Sequence, residues 1–273
     1  MPVKDISLGP PNLTHFFSEA VRTALETISL SFSYRKLMEL TPESKSRPIL
    51  VIPGFGGHDL TTNILRTFLD KKGHATYGWS GGFNTGLSVE SFVHLEARFS
   101  EILNIHKGQK ITLIGHSLGG IFARELARAF PSHVELVITK GSPFAAGNQP
   151  NSVNSIVRRA FELANGKDNP FMNNKEFIAE AKRPPPVPTT SIYSETDGVV
   201  NWQTCLNPRR AKAENVEVEG SHCGLVVNTS ALIVVADRLA TMDRTNWKPF
   251  DRKTYPEFFP KDNHGLDLRT VSL

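Results

Sequence analysis

The stretch that decides the fold is Ile111-Thr112-Leu113-Ile114-Gly115-His116-Ser117-Leu118-Gly119-Gly120. Four β-favouring residues run into a glycine-flanked serine, and an amphipathic segment over 119–130 follows. A buried strand, a sharp turn and a helix are the expected reading. The pentapeptide 115–119 has the form G-x-S-x-G. A serine placed on a strand-to-helix turn adopts strained dihedrals, and side chains two positions either side would collide with that turn, so glycine is required there. Ser117 is therefore the candidate nucleophile.

Working outward, the pattern repeats. Ile49-Leu50-Val51-Ile52 is a second short apolar run, closed by Pro53-Gly54-Phe55-Gly56-Gly57. Helical spacing is read at 12–40, 59–72 and 88–105, and strands at 74–79, 134–139, 190–194 and 216–218, with a helix over 224–240. Strands alternating with helices predict an α/β fold, a mostly parallel sheet covered by helices on both faces. Residues 145–188 break the alternation. They separate two core strands by far more than the usual loop and end in Arg183-Pro184-Pro185-Pro186-Val187-Pro188, a stiff return arm. An insertion over the C-terminal edge of such a sheet is expected as a helical cap or lid, with an ungated surface insertion as the alternative.

An activated serine needs a base, and the base an orienting acid. In the chain order serine, acid, histidine, the base must follow the last strands. His222, in Glu219-Gly220-Ser221-His222-Cys223-Gly224, stands there; His264 lies in a polar tail. After the strand at 190–194 comes Glu195-Thr196-Asp197-Gly198-Val199-Val200. Asp197, on the turn, is the candidate acid and Glu195 the competitor. Charge on a tetrahedral intermediate calls for backbone donors; Leu118, after the serine, and Phe55, in the glycine-rich loop, are placed to give them. Phe144, Val199 and Val200 are expected around an apolar substrate pocket, with Phe83 either there or in the core.

These segments together resemble the α/β-hydrolase superfamily, specifically bacterial-type lipases and esterases, over roughly residues 47–240. The supporting residues are 53–57, 115–120, Gly141-Ser142-Pro143, 193–200 and 221–224. The resemblance implies an eight-stranded type of sheet, shortened or not, and ester hydrolysis through an acyl-enzyme. Many lipases carry His-Gly in the oxyanion loop where this chain has Pro53-Gly54, which leaves the backbone donor intact. Other acyl transfer (thioesterase, amidase or acyltransferase) and a non-catalytic binding protein are the alternatives.

Composition sets the remaining bounds. The 273 residues, 39% apolar and 21% charged, fit a soluble globular chain of one to two domains. The expected division is an N-terminal helical extension at 1–46, a catalytic core at 47–144 and 189–240, the cap at 145–188 and a C-terminal strap at 241–273. The helix at 12–40 is expected to cover the sheet, with a partner or lipid surface at Phe16 and Phe17 as the alternative. A net charge of +4 does not call for nucleic acid. No cofactor or metal is expected: HExxH, a Walker A loop, G-x-G-x-x-G and carboxylate clusters are all missing from the sequence. The partner is then a small-molecule or lipid ester. With no signal-like or membrane-spanning run, a cytoplasmic location is expected, or a secreted one if a leader was removed. Cys205 and Cys223 are read as reduced and mostly buried, although an oxidising compartment would allow one disulfide.

Overall fold

The computed structural model describes residues 9–259 apart from 148, 150, 167–168 and 243–246. Six strands, β1 (Pro48–Ile52), β2 (Ala75–Gly78), β3 (Ile111–His116), β4 (Val134–Lys140), β5 (Thr189–Tyr193) and β6 (Ala213–Glu217), form one sheet in the order β2-β1-β3-β4-β5-β6. Every strand pair is parallel. Eight helices accompany them among the described residues: α1 (Leu13–Leu40), α2 (Asn63–Lys71), α3 (Val89–Ile105), α4 (Leu118–Ala129), α5 (Ser155–Asn165), α6 (Pro170–Asn173), α7 (Lys175–Lys182) and α8 (Thr229–Thr241). Among the described residues, six strands stand where the resemblance implied an eight-stranded type of sheet, shortened or not.

The period of two along β1 explains the layers. Ile49 and Val51 point into a core shared with α1, α2 and α8, while Leu50 and Ile52 point into the core built with α3 and α4. Strands buried on both faces read as unbroken apolar runs, which is why 49–52 and 111–114 stand out in the sequence. The chain leaves β1 toward β2 and then crosses back to β3, so the strand order reverses between β1 and β3. Ligands of open α/β sheets bind at the carboxyl ends of the strands flanking such a reversal. Phe55 follows β1 and Ser117 follows β3.

Two local expectations are corrected. The helix read over 224–240 is a 3-10 turn at Cys223–Val226 followed by α8, because Asn228 breaks the run and caps α8 by accepting from the Ala231 amide at 3.0 Å. Cys205 is buried, but Cys223 is exposed, and both thiols are free; Cys223 sits at the start of the 3-10 turn on the surface side of the histidine loop. Trp247, Phe250, Phe258 and Phe259, from the C-terminal segment, pack on the α1–α8 core. His264 lies outside the described residues. Among those described, no helix is long and apolar enough to cross a membrane.

Candidate active site

Ser117 occupies the turn from β3 into α4 with φ 52° and ψ −123°, a left-handed region that non-glycine residues rarely enter. The turn is compressed from both sides. A side chain at Gly115 would overlap the Gly119 carbonyl, and one at Gly119 would overlap Ile52 O and stand 2.6 Å from Pro53 O. Gly54 lies so close that a Cβ there would be 2.9 Å from the Ser117 Cβ. The strain is held by neighbours, including a hydrogen bond from the Ser117 amide to Lys140 O at 2.8 Å.

The oxyanion candidates sit beside it. Gly56 and Gly57 commit their amides to Asn84 O and Gly54 O. The Phe55 amide takes no partner among the described residues, and neither does that of Leu118 at the first position of α4. Two uncommitted N–H groups therefore flank the serine turn.

Asp197 and His222 are brought together, both buried, with Asp197 Oδ2 2.6 Å from His222 Nδ1. The second carboxylate oxygen, Oδ1, accepts from the Val199 and Val200 amides at 2.8 Å each, which fixes the carboxylate plane. His222 Nδ1–H thus donates to Asp197, and Nε2 is left as the basic nitrogen. Burial alone would push the imidazole pKa down; the Asp197 charge and hydrogen bond, with Glu19 adding to them, outweigh it and raise the value. Glu195, the competing acid, is half-buried and faces an outer groove.

His116 links the serine turn to the histidine loop. Its Nε2–H donates to the His222 carbonyl at 2.9 Å, and the two rings lie 5.0 Å apart. Burial first, and the neighbouring His222 second, lower the His116 pKa to about 3, so it is a neutral donor.

Ser117, Phe55 and Leu118 open onto a cavity of about 270 Å³ that Phe144, Val199 and Val200 also line. Phe161, Phe171, Met172 and Phe177, from the segment between β4 and β5, complete its wall. Nothing local in the sequence singles these four out, because an apolar row in a helix reads equally as core. Phe83 does not contribute: it is exposed, edge-on to His58. A larger open groove of about 1480 Å³ runs along β6, lined by charges of both signs and away from Ser117. No group of His, Cys, Asp or Glu among the described residues could hold a metal ion.

Residues 47–159 match the family model for the alpha/beta hydrolase fold. Comparison with curated proteins finds no match. Among solved structures, the acylaminoacyl peptidase of Pyrococcus horikoshii aligns over 77% of this chain and 39% of its own, with 13% identity and TM-score 0.55. Lipase B of Aspergillus fumigatus aligns over 74% of this chain and 55% of its own, with 15% identity and TM-score 0.53. Mouse alpha/beta hydrolase domain-containing protein 10 shares 20% identity over 72% of this chain and 91% of its own, with TM-score 0.49.

Proposed function

This chain has the α/β-hydrolase fold, and we propose that it is a serine hydrolase that cleaves carboxylic esters through an acyl-enzyme. The observation that carries the reading is Ser117, held in a strained turn at the reversal of the strand order and opening onto an aromatic cavity. Ser117 Oγ attacks the ester carbonyl as His222 Nε2 takes its proton. Asp197 holds the imidazole in the tautomer this requires and stabilises the imidazolium. The amides of Phe55 and Leu118 stabilise the tetrahedral oxyanion. His222 then protonates the departing alcohol and activates a water that releases the acid. Residues 145–188 serve as a cap that closes the acyl side of the site.

The cavity lies just below the ~300–1,000 Å³ of typical small-molecule sites. It suits a short to medium aliphatic or aryl acyl group rather than several long chains at once. The test is a rate profile over p-nitrophenyl esters from two to sixteen carbons, with thioester and anilide analogues beside them. An optimum at short to medium esters is expected, abolished in Ser117→Ala. Faster thioester or anilide cleavage would move the assignment to another acyl transfer. No turnover and no fluorophosphonate adduct on Ser117 would leave a binding protein.

A further inference from the structure

We propose that Glu19 of α1 is a positioning residue that clamps the acid loop and the histidine loop together; the inference rests on the function proposed above. Its buried carboxylate collects three amides from those two loops. Oε1 accepts from Gly198 and from His222, both at 3.0 Å, and Oε2 accepts from Cys223 at 3.1 Å. Hydrogen bonds to an ionised acceptor are roughly twice as strong as neutral ones. The partners are one residue after the acid, the base itself and the residue after the base, so a single side chain fixes both backbones against each other.

The rest of that helix face does the same work. Arg22, 3.9 Å from Glu19, donates to Thr196 O and Oγ1 at 2.7 Å each. Glu26 accepts from the Ser221 amide at 2.7 Å, and Thr23 Oγ1 lies 3.1 Å from Ser221 Oγ. Residues 19, 22, 23 and 26 share one face of a helix. Gly198 sits flush against α1, since a Cβ there would stand 2.5 Å from the His15 carbonyl carbon. Around His222, α1 thus presents Glu19, with Arg22 and Glu26 engaged one step away on Thr196 and Ser221, the β5 loop presents Asp197, and the strand end presents neutral His116, itself beside Lys140. Glu19 is the second anion beside the imidazole, and it holds the loop in place as well as stabilising the protonated ring.

The test compares wild type with Glu19→Gln, which keeps the shape but turns one acceptor into a donor and removes the charge. The expected result is a 10- to 100-fold fall in kcat with KM within threefold. The acid limb of kcat/KM, set by His222, should move to lower pH, a shift that mere loosening of the fold would not give. Arg22→Met, on a partly exposed side chain, should lower kcat severalfold, and it keeps the test open if Glu19→Gln does not fold. Unchanged kcat and an unmoved acid limb would overturn the clamp. If the wild type turns over no ester, the proposed function fails instead. The clamp is then judged without substrate, by NMR titration of His222 and by amide exchange at Gly198, His222 and Cys223. Faster exchange confined to these amides, with a lowered His222 pKa in Glu19→Gln, supports it; unchanged exchange overturns it.

A different observation concerns the outer face of the same helix, from which we infer that α1 pairs antiparallel with a second copy of this chain. Leu13, Phe17, Val21, Leu25, Ile28 and Phe32 are exposed, Phe17 by 73% and Phe32 by 86%. No exposed residue of α1 before Arg35 carries a charge. The row is self-complementary when reversed: Phe17 meets Phe32, Val21 meets Ile28 and Ala24 meets Leu25, as a two-fold interface requires. Taking ~150–250 Å² for each phenylalanine and less for the aliphatics, the six side chains expose on the order of 600 Å² per chain. That approaches the ~800 Å² per partner of a standard interface. Lipid-surface helices are rich in Lys and Arg along the polar face, whereas this polar face spends its charges on the catalytic loops.

Sedimentation velocity from about 1 to 100 μM should show the mass doubling. Val21→Glu and Ile28→Lys, each at an exposed position, should both be monomeric with unchanged ester turnover. Mixing the two should restore a dimer, because the reversed register sets Glu opposite Lys. A monomer at every concentration, a dimer untouched by either charge, or flotation of the chain with phosphatidylcholine vesicles through this face would each overturn the pairing.

Discussion

Replacing Asp197 by asparagine tests the proposed chemistry at its narrowest point. The aspartate Oδ1 is committed to the amides of Val199 and Val200 and Oδ2 to His222 Nδ1. In Asp197→Asn the amide oxygen must stay with the two N–H groups, because an NH2 group cannot accept from them. The NH2 is then turned toward His222 Nδ1, which becomes an acceptor, and the imidazole proton is driven to Nε2, the nitrogen that has to receive the serine proton. A wrong tautomer of this kind costs about 10⁴ in kcat, or about 5 kcal/mol of barrier. A second consequence follows from burial. It pushes the His222 pKa down, and the Asp197 charge is the largest influence raising it again. The residual activity of Asp197→Asn should therefore show its acid limb at lower pH than wild type. The raised histidine also stabilises the fold: that contribution is complete below the unfolded-state value near 6.5 and is lost as pH rises through the folded value. The variant should lack it, losing most stability relative to wild type at acid pH. Ester turnover from pH 5 to 9, with urea melts at the same pH values, measures both. Activity within tenfold of wild type, or an acid limb at the same or higher pH, would refute the reasoning.

The other expectations concern stability and pH. Gly119→Ala should cost about 3 kcal/mol or more in urea unfolding, because the new methyl meets the backbone of Ile52 and Pro53, which cannot yield as a side chain would. Gly108→Ala, at φ 80° with open space around it, should cost only the backbone strain of about 1–2 kcal/mol; equal losses would refute the steric argument. Arg124 is buried and donates to Asn207 Oδ1, Ala181 O and Arg183 O while lying 3.6 Å over the Phe144 ring. Arg124→Met should cost about 2–5 kcal/mol by orphaning those acceptors and should speed proteolysis within 145–188. Lys140 is fully buried, its Nζ has no partner among the described residues, and burial lowers its pKa to about 7. At this position the folded chain then binds fewer protons than the unfolded one between about pH 7 and 10.5. The contribution of Lys140 to stability therefore rises with pH across that window, against the raised thiols of Cys205 and Cys223, which act in the opposite sense. Wild-type stability relative to Lys140→Met should rise across the same window in urea melts, and parallel pH profiles would show that the lysine is not neutralised.

What could be read from the sequence and what could not divide along a physical line. Strands buried on both faces leave contiguous apolar runs, so β1 and β3 show themselves directly, and the glycines at 115 and 119 mark a turn too tight for any side chain. A place on the turn distinguishes Asp197 from Glu195, and it is the Asp197 carboxylate that lies 2.6 Å from His222. In these places the constraint and its cause lie within a few residues of each other, so the sequence carries both. Where cause and effect lie far apart along the chain, the sequence is silent. Phe161 and Phe171 read as any helical apolar row until α5 and α6 bring them to the wall of the cavity that Ser117 lines. Asn228 looked like one polar residue in a helix until its capping bond split the run in two. Glu19 is the extreme case. It is one acid in a 28-residue helix, and nothing local distinguishes it from Glu26 or Glu39. Its partners lie 179, 203 and 204 positions away. The same helix also misleads by periodicity, because its inner face is polar where it grips the loops and its outer face is apolar where it meets solvent. A reading that assigns the apolar face to the core turns the first half of α1 inside out. The inversion has a physical reason: over residues 19–26 the surface α1 covers is made of loop backbones, whose N–H groups go to Glu19 and Glu26 and whose Thr196 carbonyl goes to Arg22, whereas Leu30 and Leu37 farther along pack into the core.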